Sequence, residues 1–191
     1  MVAVRATSHR RMLTYEDYAA IPADGQVWEL LEGQFNVNPA PTLFHQTVSR
    51  RLQHLLMLSH EDPGLACVFD APTDLILDQH NVVQPDLVVI GKDRARIMTD
   101  RAVEGVPDLV VEVLSPSNTL AEQDKKKRIY ERFGIPEYWV VHPLSARIDV
   151  DKLKGRRYRR AATYGPADTF TYAGLGARTR IVLAKLFRPH F

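Results

Sequence analysis

Apolar residues recur with helical spacing in two long segments of the chain. In residues 42–59 they follow the 3.6-residue period of a helix that packs one face on a core. Residues 119–133 begin with a Thr119-x-x-Glu122 capping box, and Gly134 follows them as a residue that commonly ends helices. The pattern therefore predicts two long helices.

Shorter apolar runs, rich in β-branched residues and separated by Pro, Asn, Asp and Gly, predict strands around these helices. The strands are predicted at residues 66–69, 75–77, 87–90, 109–114 and 138–141, after a short helix at 14–21 and a hairpin formed by 28–31 and 33–37. From residue 148 onward we expect two or three β-segments, and residues 181–187 fit either a strand or a helix. This order predicts an α/β (α+β) fold with a mixed central sheet flanked by helices and with extra N- and C-terminal β-segments.

Length and composition predict one domain that spans residues 1–191. The chain has 191 residues, of which 45% are hydrophobic and 25% charged, as is ordinary for a globular protein. A single cysteine, Cys67, excludes an internal disulfide and a zinc ribbon, and favours a reducing compartment. No signal peptide and no apolar run of about 18 residues is visible. We therefore expect a cytoplasmic protein with no membrane partner.

Basic residues are concentrated in one part of a chain whose total charge is nearly balanced. The 25 basic and 23 acidic side chains leave a net charge of +2, so a polyanion partner would have to meet a local cluster. The densest cluster is predicted to bind nucleic acid and comprises Lys152, Lys154, Arg156, Arg157, Arg159 and Arg160. A smaller one is the Arg10-Arg11 pair. The alternative for both is an ordinary solvated surface.

Two carboxylates occupy positions where a buried strand is predicted. Glu112 lies inside Leu109-Val-Val-Glu-Val-Leu114, and Asp86 opens the comparable run 87–90. A buried charge is costly unless it is paired, and a shared Mg²⁺ or Mn²⁺ would neutralise both groups. Asp108 fits less well, because four residues of strand separate it from Glu112 by about 13 Å. The alternative is that Asp86 is a turn residue and that Glu112 pairs with a buried arginine.

Lys126 is the basic residue that helix geometry directs toward these carboxylates. Apolar residues of the second long helix form a stripe, and at about 100° per residue Lys126 falls close to its centre, whereas Lys125 and Lys127 lie roughly 90° and 110° away. An inward lysine beside two carboxylates can hold an attacking water and stabilise a phosphoryl oxygen. Alternatively, its stem packs and its ammonium reaches solvent. Glu122 lies on the same stripe, but its role in the capping box explains it slightly better than a catalytic role.

At these positions the sequence resembles the Uma-two family, a bacterial family grouped with restriction endonucleases in the PD-(D/E)XK nuclease superfamily. The resemblance rests on Val83-Gln-Pro-Asp86, Gly105-Val-Pro-Asp-Leu-Val-Val-Glu-Val-Leu-Ser-Pro-Ser117, Glu122-x-x-x-Lys126-x-x-x-Tyr130, Gly134-Ile-Pro-Glu-Tyr-Trp-Val-Val-His-Pro143, Trp28-Glu-Leu-Leu-Glu-Gly33 and His45-Gln46. It implies a restriction-endonuclease-like core and a metal-dependent phosphodiesterase. It also implies Asp86 and Glu112 as metal ligands, the Val113 carbonyl as a backbone ligand and Lys126 as the catalytic lysine.

The sequence departs from the superfamily pattern at one position. The lysine expected two residues after the glutamate is Leu114, so activity would depend on Lys126 from the helix. Glu29 is a further candidate metal ligand, the alternative being an ordinary exposed strand glutamate. His45 could approach the site or be a core or surface histidine. The histidines form no His-x-x-x-His or His-Glu-x-x-His motif, which argues against zinc.

These observations favour a Mg²⁺-dependent DNA endonuclease, and cutting of both strands would favour a homodimer. A different hypothesis is a nucleic-acid-binding module that keeps the fold without useful catalysis. A third is a protein–protein adaptor, for which Trp139 and the C-terminal β-segments would form the surface.

Overall fold

The computed structural model of the protein describes residues 11–22 and 24–189. Four α-helices lie within these ranges: α1 Tyr15–Ala19, α2 Leu43–Leu56, α3 Leu120–Phe133 and α4 Leu183–Leu186. The strands are β1 Val27–Leu31, β2 Gln34–Asn38, β3 Ala66–Asp70, β4 Leu75–Asp78, β5 Asn81–Val83, β6 Leu87–Gly91, β7 Val103–Glu104, β8 Leu109–Val113, β9 Glu137–His142, β10 Arg147–Lys154, β11 Arg157–Tyr164, β12 Thr169–Gly174 and β13 Ala177–Val182. No described helix is both apolar enough and long enough to span a membrane.

The strands form three sheets, and the largest is mixed as predicted. Its six strands have the order β11-β10-β9-β8-β6-β3, in which β8 and β9 run parallel and every other pair is antiparallel. Parallel neighbours need a crossover, which α3 provides. A second sheet has the order β2-β1-β5-β4-β7, and β12 pairs with β13 as a separate hairpin.

Strand β8 separates two hydrophobic cores because its side chains alternate between the faces of the sheet. Leu109, Val111 and Val113 pack in a core that also holds residues of α2, α4 and the β12–β13 hairpin. Val110 packs on the other side with residues of α3 and of the five-stranded sheet. Glu112 shares the parity of Val110, so it faces α3 and the second sheet.

The two long helices begin and end for the reasons that the sequence gives. Thr119 caps α3 by accepting the Glu122 N–H at 3.2 Å, and a Glu122 carboxylate oxygen accepts the Thr119 N–H at 2.9 Å. Gly134, with φ 80°, ends α3 in the left-handed conformation. Helix α2 continues past Leu56 as a π-helical turn, Met57–Glu61. The predicted capping box and both helices are confirmed.

Some predicted elements differ from the structure. Strands β5 and β7 have three and two residues and were not predicted, because such short runs carry no periodicity. The C-terminal part contains four strands, β10 to β13, rather than two or three. Residues 181–187 divide between the end of β13 and α4. Trp139 is wholly buried against Phe170 and Tyr172, so its proposed role in an adaptor surface is wrong.

Candidate active site

A pocket of about 310 Å³ opens where α2, α3 and the strands β6 and β8 converge. Its lining includes Asp86, which immediately precedes β6, Glu112 from β8, Lys126 from α3 and His45 from α2. The structure therefore brings together the three residues predicted to carry the chemistry, and it adds a histidine that the sequence left undecided.

Glu112 is held through one of its two carboxylate oxygens. Oε1 accepts hydrogen bonds from the Lys126 ammonium at 2.6 Å and from the Tyr130 hydroxyl at 2.5 Å. The side chain is 11% exposed. Burial raises the pKa of Glu112 to about 7; Lys126 opposes this rise, whereas the charges of Asp86 and Glu29 add to it. Even with Lys126 beside it, burial thus keeps the pKa of Glu112 above the ordinary value of a glutamate.

Asp86 is fixed by two donors from different elements. Its Oδ1 lies 3.1 Å from His45 Nε2, and its Oδ2 accepts the Val113 N–H at 2.7 Å. Burial lowers the pKa of His45, but the hydrogen bond and the charge of Asp86 outweigh burial and raise it above its ordinary value. His45 therefore belongs to the site. Its spacing in an apolar helix could not show this, because the partner comes from a distant strand.

Lys126 points inward, as the helix geometry predicted. Its side chain is 13% exposed, and its ammonium lies 2.6 Å from Glu112 Oε1 and 3.0 Å from Glu29 Oε1. Burial lowers the pKa of Lys126, yet these two carboxylates raise it above the ordinary lysine value. The lysine therefore stays charged at neutral pH.

The neighbouring lysines on α3 have other partners. Among the residues that the structure describes, Lys125 bonds the Gln34 side-chain oxygen, at a long 3.4 Å. Lys127 was expected to avoid the core, but it forms an ion pair of 2.6 Å with the buried Asp151 of β10. The approach of α3 to β10 is a tertiary feature that spacing along the helix does not encode.

Glu29 is completely buried, so the alternative of an exposed strand glutamate is wrong. It lies beside Lys126 but outside the lining of the pocket. Glu122 lines the pocket while its carboxylate caps α3. Asp108, the competing carboxylate, binds the Gly91 N–H at 2.7 Å and Arg94 at 3.0 Å and is absent from this pocket.

One contributor to the site was missed at the sequence level. Tyr130 was assigned to the apolar stripe of α3 and to the family motif, but it was given no role in the site, yet its hydroxyl binds Glu112. Its position one helical turn after Lys126 was the available signal, because residues four apart lie on the same face of a helix. Tyr130 and Lys126 thus hold the same carboxylate oxygen from consecutive turns.

The oxygen donors of the pocket fit a hard divalent cation. Among the described residues no three His, Cys, Asp or Glu side chains are grouped as a ready-made metal centre. Mg²⁺, however, commonly uses one or two carboxylates and keeps several waters. Within the described part of the chain, Glu112 Oε2 makes no hydrogen bond, and the pKa of Glu112 is raised mainly by burial, with a smaller contribution from the charges of Asp86 and Glu29. Asp86, Glu112 and the backbone of Val113 all line the pocket.

The basic cluster predicted to bind nucleic acid lies toward the other end of the large sheet. In the sheet register, Lys152 of β10 lies opposite Glu137 of β9, and Glu137 lies opposite Leu109 at the start of β8. Glu112 lies near the end of β8. At about 3.3 Å per residue, the tip of the β10–β11 hairpin is roughly 20 Å from the level of Glu112 along the strands. The tip of the hairpin, with Lys154 and Arg156, therefore lies well away from the pocket along the sheet.

Half of this cluster is neutralised within the protein. Lys152 pairs with Glu137 at 3.2 Å, and Arg157 pairs with Glu131 at 3.0 Å. Arg160 bridges the buried aspartates of β10 at 2.8 and 2.7 Å. The exposed members without an ion-pair partner in the described ranges are Lys154, Arg156 and Arg159. Of the smaller pair, Arg11 binds Asp17, and Arg10 lies outside the described residues.

Comparison with known proteins defines the class. A solved structure, described as a "putative nuclease belonging to DUF820" from Anabaena variabilis ATCC 29413, superposes with a TM-score of 0.75 over 92% of this chain and 97% of that chain, at 15% sequence identity. The two proteins therefore share a fold. The family profile described as "Uma2: Putative restriction endonuclease" matches residues 15–180. The chain belongs to the Uma2 family. No curated protein matches it.

Proposed function

We propose that the protein is a metal-dependent endonuclease that hydrolyses DNA phosphodiester bonds, with Mg²⁺ or Mn²⁺ as its cofactor. The observation that carries the proposal is the convergence of Asp86, Glu112 and Lys126 on one pocket, with Glu112 presenting an unpartnered oxygen. Membership of the Uma2 family supports a nuclease of the restriction type. The homodimer expected from cutting two strands remains part of this proposal.

Each residue of the pocket has a distinct role in this reaction. Asp86, oriented by His45 and by the Val113 N–H, and Glu112, oriented by Tyr130, would hold the cation together with the Val113 carbonyl. A bound cation supplies polarisation of the scissile phosphate and a water of lowered pKa. The permanently charged Lys126 ammonium stabilises negative charge that develops beside Glu112.

A metal-titrated cleavage assay on supercoiled, linear and single-stranded DNA tests the proposal. Cleavage should require Mg²⁺ or Mn²⁺ and should be lost in Asp86→Asn and Glu112→Gln. Asp124→Asn, which changes an exposed carboxylate of α3, is the matched control and should cut normally. The absence of cleavage on every substrate with both ions would reject the enzyme and favour a binding module. Equal activity in Asp86→Asn and the control would reject the site.

A further inference from the structure

Glu29 was a candidate metal ligand, and protein donors contact both of its carboxylate oxygens. Its Oε1 accepts the Gln84 N–H at 2.8 Å and lies 3.0 Å from the Lys126 ammonium, and its Oε2 accepts a hydrogen bond from the Asn38 amide at 2.8 Å. Its side chain has no exposure. Both oxygens are therefore occupied by donors, and neither faces the pocket.

The two proposed ligands differ from Glu29 in this respect. Asp86 keeps 18% and Glu112 keeps 11% of its side chain exposed, and both line the pocket, which Glu29 does not. A cation that reached Glu29 would first have to displace the Lys126 ammonium or the Asn38 amide. Asp86 and Glu112 are therefore open to a ligand, whereas Glu29 is enclosed by the protein.

Lys126 needs such an enclosed partner. A lysine ammonium is a point charge on a flexible four-carbon stem, so one ion pair does not fix its position. Lys126 is bound by Glu112 from the six-stranded sheet and by Glu29 from the five-stranded sheet. Glu29 is held in turn by Asn38 of β2 and by the backbone that follows β5. The ammonium is thus tied between two sheets.

We propose that Glu29 is a positioning residue that fixes the Lys126 ammonium against Glu112 and does not ligate the divalent cation. The proposal rests on the proposed nuclease function for its catalytic consequence, but its structural claim is independent of activity. The β1–β2 hairpin then supports the reacting groups. Asn38 of this hairpin binds Glu29 and also lines the pocket.

Manganese binding and cleavage kinetics of Glu29→Gln separate positioning from ligation. Loss of a residue that orients a reacting group costs about 10–100-fold in activity, so kcat should fall by that factor while the KM for DNA and the Mn²⁺ affinity stay within about twofold. Asp86→Asn should instead weaken Mn²⁺ binding. Glu32→Gln changes a 39% exposed glutamate of the same hairpin and should match the wild type. A loss of Mn²⁺ affinity in Glu29→Gln equal to that in Asp86→Asn would overturn the proposal.

A second measurement needs neither metal nor activity. In ¹⁵N-lysine NMR of the metal-free protein, the buried Lys126 ammonium should give a slowly exchanging signal, identified by its loss in Lys126→Met. Glu29→Gln should broaden or remove that signal, and Glu32→Gln should leave it unchanged. An unchanged signal in Glu29→Gln would refute positioning, even if the wild type neither binds Mn²⁺ nor cuts DNA.

A double variant covers the case in which Glu29→Gln alone does not fold. Glu29→Gln combined with Lys126→Met removes both charges of the buried pair, which spares the fold an unpaired buried charge. Its Mn²⁺ affinity should equal that of Lys126→Met, because positioning acts only through the lysine. A further loss of affinity in the double variant would identify Glu29 as a ligand and overturn the proposal.

Discussion

Replacement of Lys126 by methionine should destabilise the protein in a pH-dependent way. The Lys126 side chain is 13% exposed, and its ammonium compensates two buried carboxylates, Glu29 and Glu112. Removal of one member of a buried ion pair typically costs about 3–5 kcal/mol of the free energy of unfolding. That cost is below the stability of about 5–15 kcal/mol that is usual for a domain, so the variant should still fold.

The pH dependence follows from Glu112, whose pKa is raised to about 7 by burial. A carboxyl group with a raised folded-state pKa contributes stability that is fully present below the unfolded pKa and is lost as pH rises through the folded value. Without Lys126 the pKa of Glu112 rises further. The free energy of unfolding of the wild type stops falling above about pH 7, whereas that of the variant continues to fall up to the higher pKa. Each additional pKa unit widens the difference by about 1.4 kcal/mol.

Urea unfolding followed by circular dichroism, in EDTA at pH 6 and pH 9, measures this difference. The destabilisation by Lys126→Met should be larger at pH 9 and should reach about 3 kcal/mol there. Lys125→Met removes an exposed ammonium whose hydrogen bond to Gln34 is long, at 3.4 Å, and should stay within about 0.5 kcal/mol of the wild type at both pH values. The burial and pairing of Lys126 would be refuted if Lys126→Met cost less than about 1 kcal/mol at pH 9, or if its destabilisation decreased from pH 6 to pH 9.

Three further predictions concern stability and can be checked by the same unfolding assay. Arg160→Ser should cost about 2 kcal/mol, because this half-exposed side chain bridges two buried aspartates, while Arg159→Ser should cost less than about 0.5 kcal/mol. Equal effects of the two substitutions would show that the ion pairs of Arg160 with the two aspartates do not stabilise the fold. Thr119→Ala should cost about 1 kcal/mol through loss of the α3 cap, seen as a lower urea midpoint at unchanged slope. Gly33→Ala should cost more than about 1 kcal/mol, because φ is 70° and an added Cβ would lie 3.2 Å from the Leu13 backbone nitrogen; a neutral result would mean that the turn relaxes.

The sequence was sufficient where a feature depends on neighbouring residues. Helix α3 could be predicted with its cap and its end because Thr119 and Glu122 act on each other within one turn, and Gly134 acts on the last turn just before it. The inward direction of Lys126 followed from helical period alone. Glu112 was recognisable because a charge inside a β-branched run is costly to bury.

The sequence was insufficient where a side chain is defined by a distant partner. Glu29 stands in a strand between a tryptophan and a leucine, and its burial depends on Asn38, on Gln84 and on a lysine from helix α3. The pairing of Lys127 with Asp151 depends in the same way on how α3 packs on β10. No periodicity along the chain contains such distances.

The separation of the site's parts along the chain has a consequence for the order of folding. Glu112, Lys126 and Tyr130 belong to the continuous β8–α3–β9 unit and lie within 18 residues of one another, so closing their contacts loses less chain entropy than closing the contact of Lys126 with the distant Glu29. The β1–β2 hairpin is synthesised first, but a two-stranded hairpin is marginally stable alone, and its glutamate has no ammonium partner until α3 exists. Docking of the hairpin should therefore be a late step in folding, and substitutions at Glu29 should accelerate unfolding more than they slow folding.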